Sequence, residues 1–270
     1  MHQTQFDDSA PPPLESSASR LITCWQKIPS LYVTEALLAS GLDGVCLDMA
    51  NGSLSIQTIA ELPSYRSDAA RATFVRTPET PAESLIGRLL DEGADGIIIP
   101  HLQDPEDARR YARAARFSPR GTRGMGSTGR AGRWGLASRD DYLAGSRRVP
   151  WAPLVTGMVE DTATLARLDE LTETAELDAV MVGSADLMHS TGLSFSELSE
   201  LLSTAAATVR SAGALPAIAV GTPEQARTAF ELGFEWCVVS NDISILARAS
   251  VRNIDEIAHG RANNTRKTTE

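Results

Sequence analysis

Short apolar runs alternate with longer amphipathic stretches along most of this chain. The short runs are rich in Val, Ile and Leu and end at Gly, Pro or a polar residue, as expected of strands that are buried on both faces. The pattern predicts strands at Leu21–Trp25, Gly44–Asp48, Ala72–Arg76, Gly96–Pro100, Leu154–Glu160, Ala179–Gly183, Ala217–Gly221 and Trp236–Ser240.

The stretches between the strands have the period of helices, and several of them end at a glycine, which suits a left-handed C-terminal cap. Strands that alternate with helices form a parallel sheet. Eight such units favour an α/β fold of the (β/α)8 TIM barrel type, and an open doubly wound sheet is the alternative. The predicted helices are Leu31–Ser40, Leu54–Leu62, Ala82–Glu92, Pro105–Phe117, Thr162–Leu171, Phe195–Ser211, Pro223–Leu232 and Ile243–His259.

The barrel is predicted to be a single domain that spans residues 19–259. Residues 1–18 carry a proline triplet, acids and serines, and residues 260–270 are polar, so both segments are predicted to be disordered tails. The length of 270 residues suits one barrel, which needs about 250. With 42% apolar but only 5% aromatic residues, the core must consist mainly of Ala, Val, Leu and Ile.

The formal net charge of −10 argues against nucleic acid as a partner, because phosphate binding needs a basic surface. No apolar run approaches the roughly 20 residues of a membrane span, so no membrane association is expected. The three cysteines, Cys24, Cys46 and Cys237, lie far apart in apolar runs. Their spacing indicates buried free thiols and therefore a reducing, cytoplasmic location.

Two carboxylates follow neighbouring predicted strands. Glu160 ends the fifth strand, and Asp186 follows the sixth. The C-terminal ends of strands carry the chemistry in this fold, and two carboxylates completed by water and substrate oxygens suit Mg²⁺ or Mn²⁺. The alternative is structural: Glu160 opens the next helix, and Asp186 caps a turn.

Arg76 ends the third predicted strand, where its guanidinium is shaped to bind a carboxylate with two hydrogen bonds. The alternative is an ion pair with Asp48 or another acid at a strand end. Two of the four histidines, His101 after the fourth strand and His189 three residues after Asp186, can also face the mouth of the barrel. A surface position is the alternative for both.

A stretch rich in Gly and Arg, from Ser118 to about Val149, interrupts the alternation. Gly124–Gly129 matches the pattern G-x-G-x-x-G, but no strand precedes it, so it is not a dinucleotide-binding fingerprint. The stretch is expected to line the mouth of the barrel or to pack against a neighbouring subunit.

Several short motifs occur in order: Leu42-Asp43 with Leu47-Asp48, Phe74–Arg76, Leu90–Ala94, Ile99-Pro100, Arg123–Ser127, Arg130-Ala131, Val159-Glu160 and Val182–Leu187. Together they resemble the HpcH/HpaI aldolases, which are class II, metal-dependent pyruvate aldolases, from about Leu21 to Asp255. The resemblance implies a (β/α)8 barrel that assembles as a homo-oligomer, a hexamer or trimer of dimers, through an exchanged last helix.

The resemblance also implies a divalent metal, Mg²⁺ or else Mn²⁺ or Co²⁺, held by Glu160 and Asp186. Arg76 would bind the keto-acid oxygens, and backbone amides around Ser184, Ala185 and Asp186 would bind the carboxylate. The metal would act as a Lewis acid that stabilises the pyruvate enolate formed when the carbon–carbon bond breaks.

The chain departs from the family after the second strand. The family has Asp-Gly-Glu-His there, with the His as acid/base, whereas this chain has Asp48-Met49-Ala50-Asn51. Asn51 can orient a substrate hydroxyl or water but cannot shuttle a proton. The acid that partners the family's His is kept as Asp91, and His101 is the candidate replacement. Met158 stands where the family has a Gln that contacts substrate.

The expected function is therefore a metal-dependent carbon–carbon lyase that acts on a small 2-keto acid such as pyruvate or oxaloacetate. One alternative is a barrel that binds a keto acid without aldol turnover. Another is an oxaloacetate decarboxylase, which needs less help from a protein base. An acyl-CoA lyase would need a basic surface for CoA, which this acidic chain does not display.

Overall fold

Eight parallel strands form a closed barrel in a computed structural model of the protein, which describes residues 20–62, 71–143, 154–174 and 176–266. Each strand pairs with the next along the chain, and the first pairs with the eighth. The predicted (β/α)8 barrel is thus confirmed, and the open sheet is wrong. Strands β1 to β8 are Leu21–Gln26, Gly44–Asp48, Ala72–Arg76, Gly96–Ile99, Val155–Val159, Ala179–Gly183, Leu215–Val220 and Trp236–Asn241.

Helices connect the strands and cover the outside of the barrel. A 3-10 turn at Arg133–Gly135 lies in the long connection before β5. Helices α1 to α11 are Leu31–Ala39, Ile56–Glu61, Glu83–Asp91, Pro105–Ala114, Arg139–Leu143, Thr162–Leu165, Leu168–Thr174, Ser184–Thr191, Ser199–Ser211, Pro223–Glu231 and Asp242–Arg266.

The helices differ from the prediction in several places. The predicted helix Thr162–Leu171 is divided into α6 and α7, and α8 starts directly after β6, where a loop was expected. The last helix, α11, continues to Arg266 instead of ending near His259, because Gly260 weakens a helix without stopping it. The disorder predicted from residue 260 stays a prediction, and the predicted N-terminal tail lies outside the described residues.

Side chains alternate along each strand between two buried layers. Val45 and Leu47 pack outward against the helices, whereas Cys46 belongs to an inner cluster that fills the barrel. Within this cluster the rings of Phe74 and Trp236 lie 4.4 Å apart. Because the interior is filled by side chains, substrate chemistry belongs to the ends of the strands.

The three cysteines are buried and free, as predicted. Burial raises the pKa of Cys24 and of Cys237 to about 12, so these side chains are thiols at neutral pH. Among the helices that the structure describes, none contains an apolar stretch long enough to cross a bilayer.

The described part of the Gly- and Arg-rich stretch, residues 118–143, lies at the end of the barrel where the strands begin. Arg130 donates a hydrogen bond of 2.7 Å to the carbonyl of Ala60 at the end of α2, and Arg116 pairs with Asp178 just before β6. The prediction that this stretch lines the mouth is wrong, because a connection from a helix to the next strand returns to the opposite end of the barrel. Its packing against a neighbouring subunit stays a prediction.

Candidate active site

Four charged side chains lie in one layer above the filled interior. Trp25, Cys46, Phe74 and Met158 belong to the inner cluster. Since alternate residues of a strand point to the same side, the residues two positions further on continue this inward-facing set at the mouth of the barrel. They are Lys27, Asp48, Arg76 and Glu160.

Asp48 and Arg76 form a buried, bidentate ion pair. The two residues lie opposite each other in the register of β2 and β3. Arg76 donates from Nε to Oδ1 at 2.9 Å and from Nη2 to Oδ2 at 2.7 Å. The backbone N–H groups of Ala50 and Asn51 also donate to Oδ1, each at 3.1 Å. The ion pair with Asp48 that the sequence left as an alternative is therefore present.

This pairing holds the Asp48 carboxyl in its ionised form. Burial alone would raise its pKa, but the hydrogen bonds and positive charge of Arg76 outweigh the burial. The backbone N–H of Asn51 and the charge of Lys27 act in the same direction, so the pKa of Asp48 lies below its usual range.

Arg76 keeps one amino group for another partner. The face of its guanidinium lies 4.3 Å from the ring centre of Trp25, and Nη1 lies 4.0 Å from Sδ of Met158. Nη1 thus has no oxygen partner among the described residues, although Nε and Nη2 are bound to Asp48. Asp48 fixes the direction in which Nη1 can donate.

Glu160 follows β5, and its side chain is only 5% exposed. Its Oε2 accepts a hydrogen bond of 2.8 Å from the backbone N–H of His101. The same oxygen lies 2.9 Å from Nδ1 of the His101 ring. No described residue donates a hydrogen bond to Oε1. Burial raises the pKa of Glu160 and the negative charge of Asp186 raises it further, against the opposing contacts of His101.

Gly183, the last residue of β6, makes room for Glu160. A Cβ on Gly183 would lie 2.6 Å from Cγ of Glu160 and 3.0 Å from its Oε1. Any other residue at this position would force the carboxylate to move. The glycine that ends this strand therefore places Glu160 beside the start of α8.

His101 bends into the mouth through a backbone φ of 49°. Its Nε2 lies 3.2 Å from Oε1 of Glu79, while its Nδ1 contacts Glu160, so the ring bridges two carboxylates. The structure thus brings His101 into the site, as the sequence allowed, although half of the side chain is exposed. Its catalytic role stays a prediction.

The first turn of α8 presents Ser184, Ala185 and Asp186. No side chain caps this helix, since its N-cap residue is Gly183, and so the first N–H groups lack a side-chain acceptor. The Ser184 hydroxyl is turned away and donates to the carbonyl of Ala219 at 2.6 Å. Asp186 is exposed in this turn instead of lying in a loop, and His189 is exposed near the far end of the helix.

Glu160 and Asp186 can contribute two oxygen ligands to a cation. No cluster of three or more His, Cys, Asp or Glu side chains suited to a metal occurs among the described residues. A site with two carboxylates nevertheless fits Mg²⁺, which keeps several waters and accepts substrate oxygens. The negative charge of Asp186 repels that of Glu160 and contributes to the raised pKa of Glu160. A bound cation would relieve this repulsion.

Asn51 lies at the same mouth. Its backbone N–H is bound to Asp48, and its side chain is exposed, so it can reach a ligand without passing through the core. Its predicted role in orienting a hydroxyl or water is compatible with this position and stays a prediction.

Asp91, by contrast, lies at the opposite end of the barrel. It is the last residue of α3, just before β4 begins, and it binds the Gly- and Arg-rich stretch through Arg123 and the Tyr142 hydroxyl. Within one chain Asp91 therefore does not reach the mouth, and its predicted role as the partner of an acid or base stays a prediction. Helices of this fold run back from the mouth, so a residue at the end of a helix is displaced from it.

Two residues at the mouth were missed. Lys27 follows the inner-layer residue Trp25 by two positions, and its Nζ lies 3.6 Å from Oδ2 of Asp48. Applying the two-residue period to the end of β1 would have found it. Glu79 lies in the loop after β3, and nothing in its sequence surroundings predicts its contact with His101.

Comparisons with known proteins give one consistent family. The model of the HpcH/HpaI aldolase/citrate lyase family matches residues 21–234. The chain is 28% identical over 235 residues to a 4-hydroxy-2-oxo-heptane-1,7-dioate aldolase of Shigella flexneri, and the match covers 85% of each chain. It is also 28% identical over 233 residues to a 2-keto-3-deoxy-L-rhamnonate aldolase of Shigella sonnei, with 84% of this chain and 85% of that protein covered.

A solved structure is similar over nearly the same length. It is that of an HpcH/HpaI aldolase/citrate lyase family protein from Burkholderia cenocepacia, with a TM-score of 0.77 and 28% sequence identity. The match covers 89% of this chain and 95% of the other. The likeness in fold therefore extends over most of the chain.

Proposed function

The chain belongs to the HpcH/HpaI aldolase/citrate lyase family and is an enzyme of the carbon–carbon lyase type, and we propose that it acts on a small 2-keto acid with a divalent cation. The two aldolases compared above are named for substrates that carry a 2-keto acid group. The same class of substrate is proposed here, with pyruvate as the fragment released or added.

The observation that carries the proposal is the placement of Glu160. Its carboxylate is buried next to Asp186 and leaves Oε1 open, whereas Oε2 is held by His101. We assign Glu160 and Asp186 as the ligands of Mg²⁺, with Mn²⁺ or Co²⁺ as replacements. A cation bound there would supply Lewis-acid stabilisation for the negative charge that develops on the keto oxygen as the enolate forms.

The residues around this pair bind and orient the keto acid. Nη1 of Arg76 donates to the substrate oxygens, and its direction is fixed by the bidentate contact with Asp48. The N–H groups at Ser184, Ala185 and Asp186 bind the substrate carboxylate, since the N-terminus of a helix favours an anion. Met158 gives the substrate an apolar floor beneath Arg76.

Proton transfer is proposed to involve two further residues at the mouth. His101 holds one oxygen of Glu160, and Asn51 reaches the mouth from the loop after β2. The acid/base role of His101 and the orienting role of Asn51 stay predictions. Asp91 is not proposed for this site, because it lies at the other end of the barrel.

The last helix supports assembly with further copies of the chain. Large apolar side chains of α11 are between 44% and 64% exposed in the single chain, and exposed apolar side chains that lie together are typical of an interface. We propose a homo-oligomer, with a hexamer built as a trimer of dimers as the expected form. The exposed side chains are Ile243, Ile245, Leu246, Val251, Ile254 and Ile257.

A second candidate function is oxaloacetate decarboxylation at the same site. It is favoured by Asn51, which stands at the mouth and cannot accept the proton of an aldol hydroxyl. Decarboxylation releases carbon dioxide from the substrate and needs no such acceptor. Both candidates use the same cation and the same enolate.

A coupled assay tests the proposal. The purified protein is given Mg²⁺ and either a 4-hydroxy-2-oxo acid or oxaloacetate, and the released pyruvate is measured with lactate dehydrogenase. Pyruvate formed from the 4-hydroxy-2-oxo acid indicates an aldolase. Pyruvate formed from oxaloacetate but not from the 4-hydroxy-2-oxo acid indicates a decarboxylase. Glu160→Gln is expected to lower turnover roughly 100-fold or more, because it removes a ligand charge where Lewis-acid stabilisation is needed.

The matched control is Glu170→Gln, which makes the same chemical change on the exposed surface of α7. It is expected to keep full turnover. Turnover that is unchanged in Glu160→Gln, or turnover that persists with a chelator, would contradict the proposed mechanism.

A further inference from the structure

Lys27 occupies a fixed position at the mouth of the barrel. It directly follows β1 and is one of only two lysines in the sequence. Its backbone N–H lies 3.1 Å from each oxygen of Asp242, and the N–H of Ile28 donates to the same carboxylate at 2.8 Å. Asp242 is buried at the start of α11, so these contacts join the end of β1 to the last helix.

The ammonium group of Lys27 approaches Asp48 but is not satisfied by it. Nζ lies 3.6 Å from Oδ2, which is longer than a hydrogen bond, and no described residue accepts a hydrogen bond from Nζ. Asp48 already binds Arg76 and two backbone N–H groups. Lys27 therefore keeps donors for a partner in the mouth, where its side chain is 23% exposed.

Two positive side chains share one carboxylate at this side of the mouth. Arg76 and Lys27 both approach Oδ2 of Asp48, so the group of three carries a net positive charge in a chain whose net charge is −10. Arg76 is directed by its bidentate contact, whereas Lys27 is a compact point charge on a flexible stem. A ligand with two anionic groups could engage both.

We infer that Lys27 binds a second carboxylate of the substrate, so that the enzyme prefers dicarboxylic to monocarboxylic 2-keto acids. The inference rests on the proposed function, in which Arg76 and the start of α8 bind the first carboxylate and the keto group. Lys27 is a binding residue here and not a nucleophile. Its Nζ lies 3.6 Å from Oδ2 of Asp48, in the geometry of an ion pair, and the proposed reaction needs no covalent bond to an amine.

Calorimetry with two stable hydroxy acids tests this role. Malate carries two carboxylates, and 2-hydroxybutanoate has the same four-carbon chain with a methyl group in place of the second one. Both are titrated into the full-length protein with Mg²⁺. The wild type is expected to bind malate more tightly, and Lys27→Met is expected to weaken malate binding roughly tenfold while hardly changing 2-hydroxybutanoate binding.

Two further variants separate charge from shape. Lys27→Arg keeps the positive charge and is expected to keep the preference for malate. Arg227→Met removes a cation from an exposed ion pair on α10 and is expected to behave like the wild type. The ratio of the two affinities is measured within each variant, so a partial loss of folded protein does not change it.

Three results would overturn the inference. If the wild type binds both acids and Lys27→Met leaves their affinity ratio unchanged, only the role of Lys27 falls. If the wild type binds neither acid, the inference falls together with the proposed keto-acid site. If treatment with pyruvate and borohydride adds a stable mass to Lys27, the side chain acts as a nucleophile and not as a carboxylate ligand.

Discussion

The two sides of the barrel mouth hold their carboxylates in opposite ways. Asp48, on the β2 side, uses both oxygens to bind Arg76, and its surroundings lower its pKa. Glu160, on the β5 side, is also buried, but one of its oxygens has no donor among the described residues, and its surroundings raise its pKa. A saturated carboxylate positions its neighbour, whereas an unsaturated one retains the capacity to bind a ligand.

Local sequence produces this difference. The register of β2 and β3 places Arg76 directly opposite Asp48, so the pair forms within the sheet. Beside Glu160 the corresponding residue of the next strand is Gly183, which has no side chain to offer. A cation or a substrate must then supply what the protein does not, and this supports the proposed division into a positioning side and a ligand-binding side.

Asp48→Ala should have the largest effect on stability. It leaves the buried Arg76 guanidinium without its partner, and breaking a buried pair in this way costs roughly 3–5 kcal/mol. Urea denaturation followed by circular dichroism measures the free energy of unfolding. The expected result is a large drop for this variant.

The double variant Asp48→Ala with Arg76→Met is the control for that experiment. It removes both charges, so it should recover a large part of the lost stability. A loss below about 1 kcal/mol in the single variant, or a double variant no more stable than the single one, would show that the pair does not hold the β2 side together.

Gly183→Ala should lower stability less than Asp48→Ala does, and its main effect should be on Glu160, on the β5 side of the mouth. The new Cβ would lie 2.6 Å from Cγ of Glu160, so the carboxylate has to move. The expected cost is roughly 1–3 kcal/mol of stability, and Mg²⁺ affinity measured by calorimetry should fall roughly tenfold or more, as when the support of a metal ligand is disturbed.

Gly124→Ala is the matched control, because a Cβ at Gly124 meets nothing within 4 Å and its φ is not positive. It should change the free energy of unfolding by less than about 0.5 kcal/mol. Unchanged Mg²⁺ affinity in Gly183→Ala would argue against Glu160 as a ligand.

The sequence predicts the barrel better than it predicts the details of the mouth. Eight apolar runs determine the strands, and the rule that strand ends carry the chemistry brings Glu160 and Asp186 to one region. The start of α8 directly at Ser184 was not predicted, because Ser, His and Thr in this segment weaken its helical pattern. Because the sequence does not predict the first turn of α8, it also does not predict that Asp186 is exposed in that turn.

The misplaced residues have a common physical cause. Asp91 was expected at the mouth from the family resemblance, and the Gly- and Arg-rich stretch was expected there as a loop. Asp91 ends a helix and the stretch follows one, so both lie at the other end of the barrel. Topology alone would have corrected this expectation. The contacts of His101 with Glu79 and Glu160 depend on a positive φ at His101, which the sequence does not indicate.

The stability lost in Asp48→Asn should depend on pH, and this dependence should distinguish the two sides of the mouth. The variant keeps the shape of the side chain but loses its charge, and at pH 7 it should cost roughly 1–2 kcal/mol. The folded-state pKa of Asp48 lies below the unfolded value, which is about 3.9. Its stabilisation is therefore complete above the unfolded pKa and is lost as the pH falls through the lower folded value.

Urea denaturation of the wild type and Asp48→Asn at a series of pH values from 7 down to 3 measures this dependence. Arg76 and Lys27 are the charged groups that face Asp48. The difference between the two proteins should shrink only at the acid end, where Asp48 itself becomes protonated. Glu160→Gln, which makes the same chemical change on the other side, should not lower stability at pH 7, because burial and Asp186 disfavour the ionised form of Glu160. A stability loss in Glu160→Gln as large as that in Asp48→Asn would remove the contrast, because both carboxylates would then stabilise the fold through their charge.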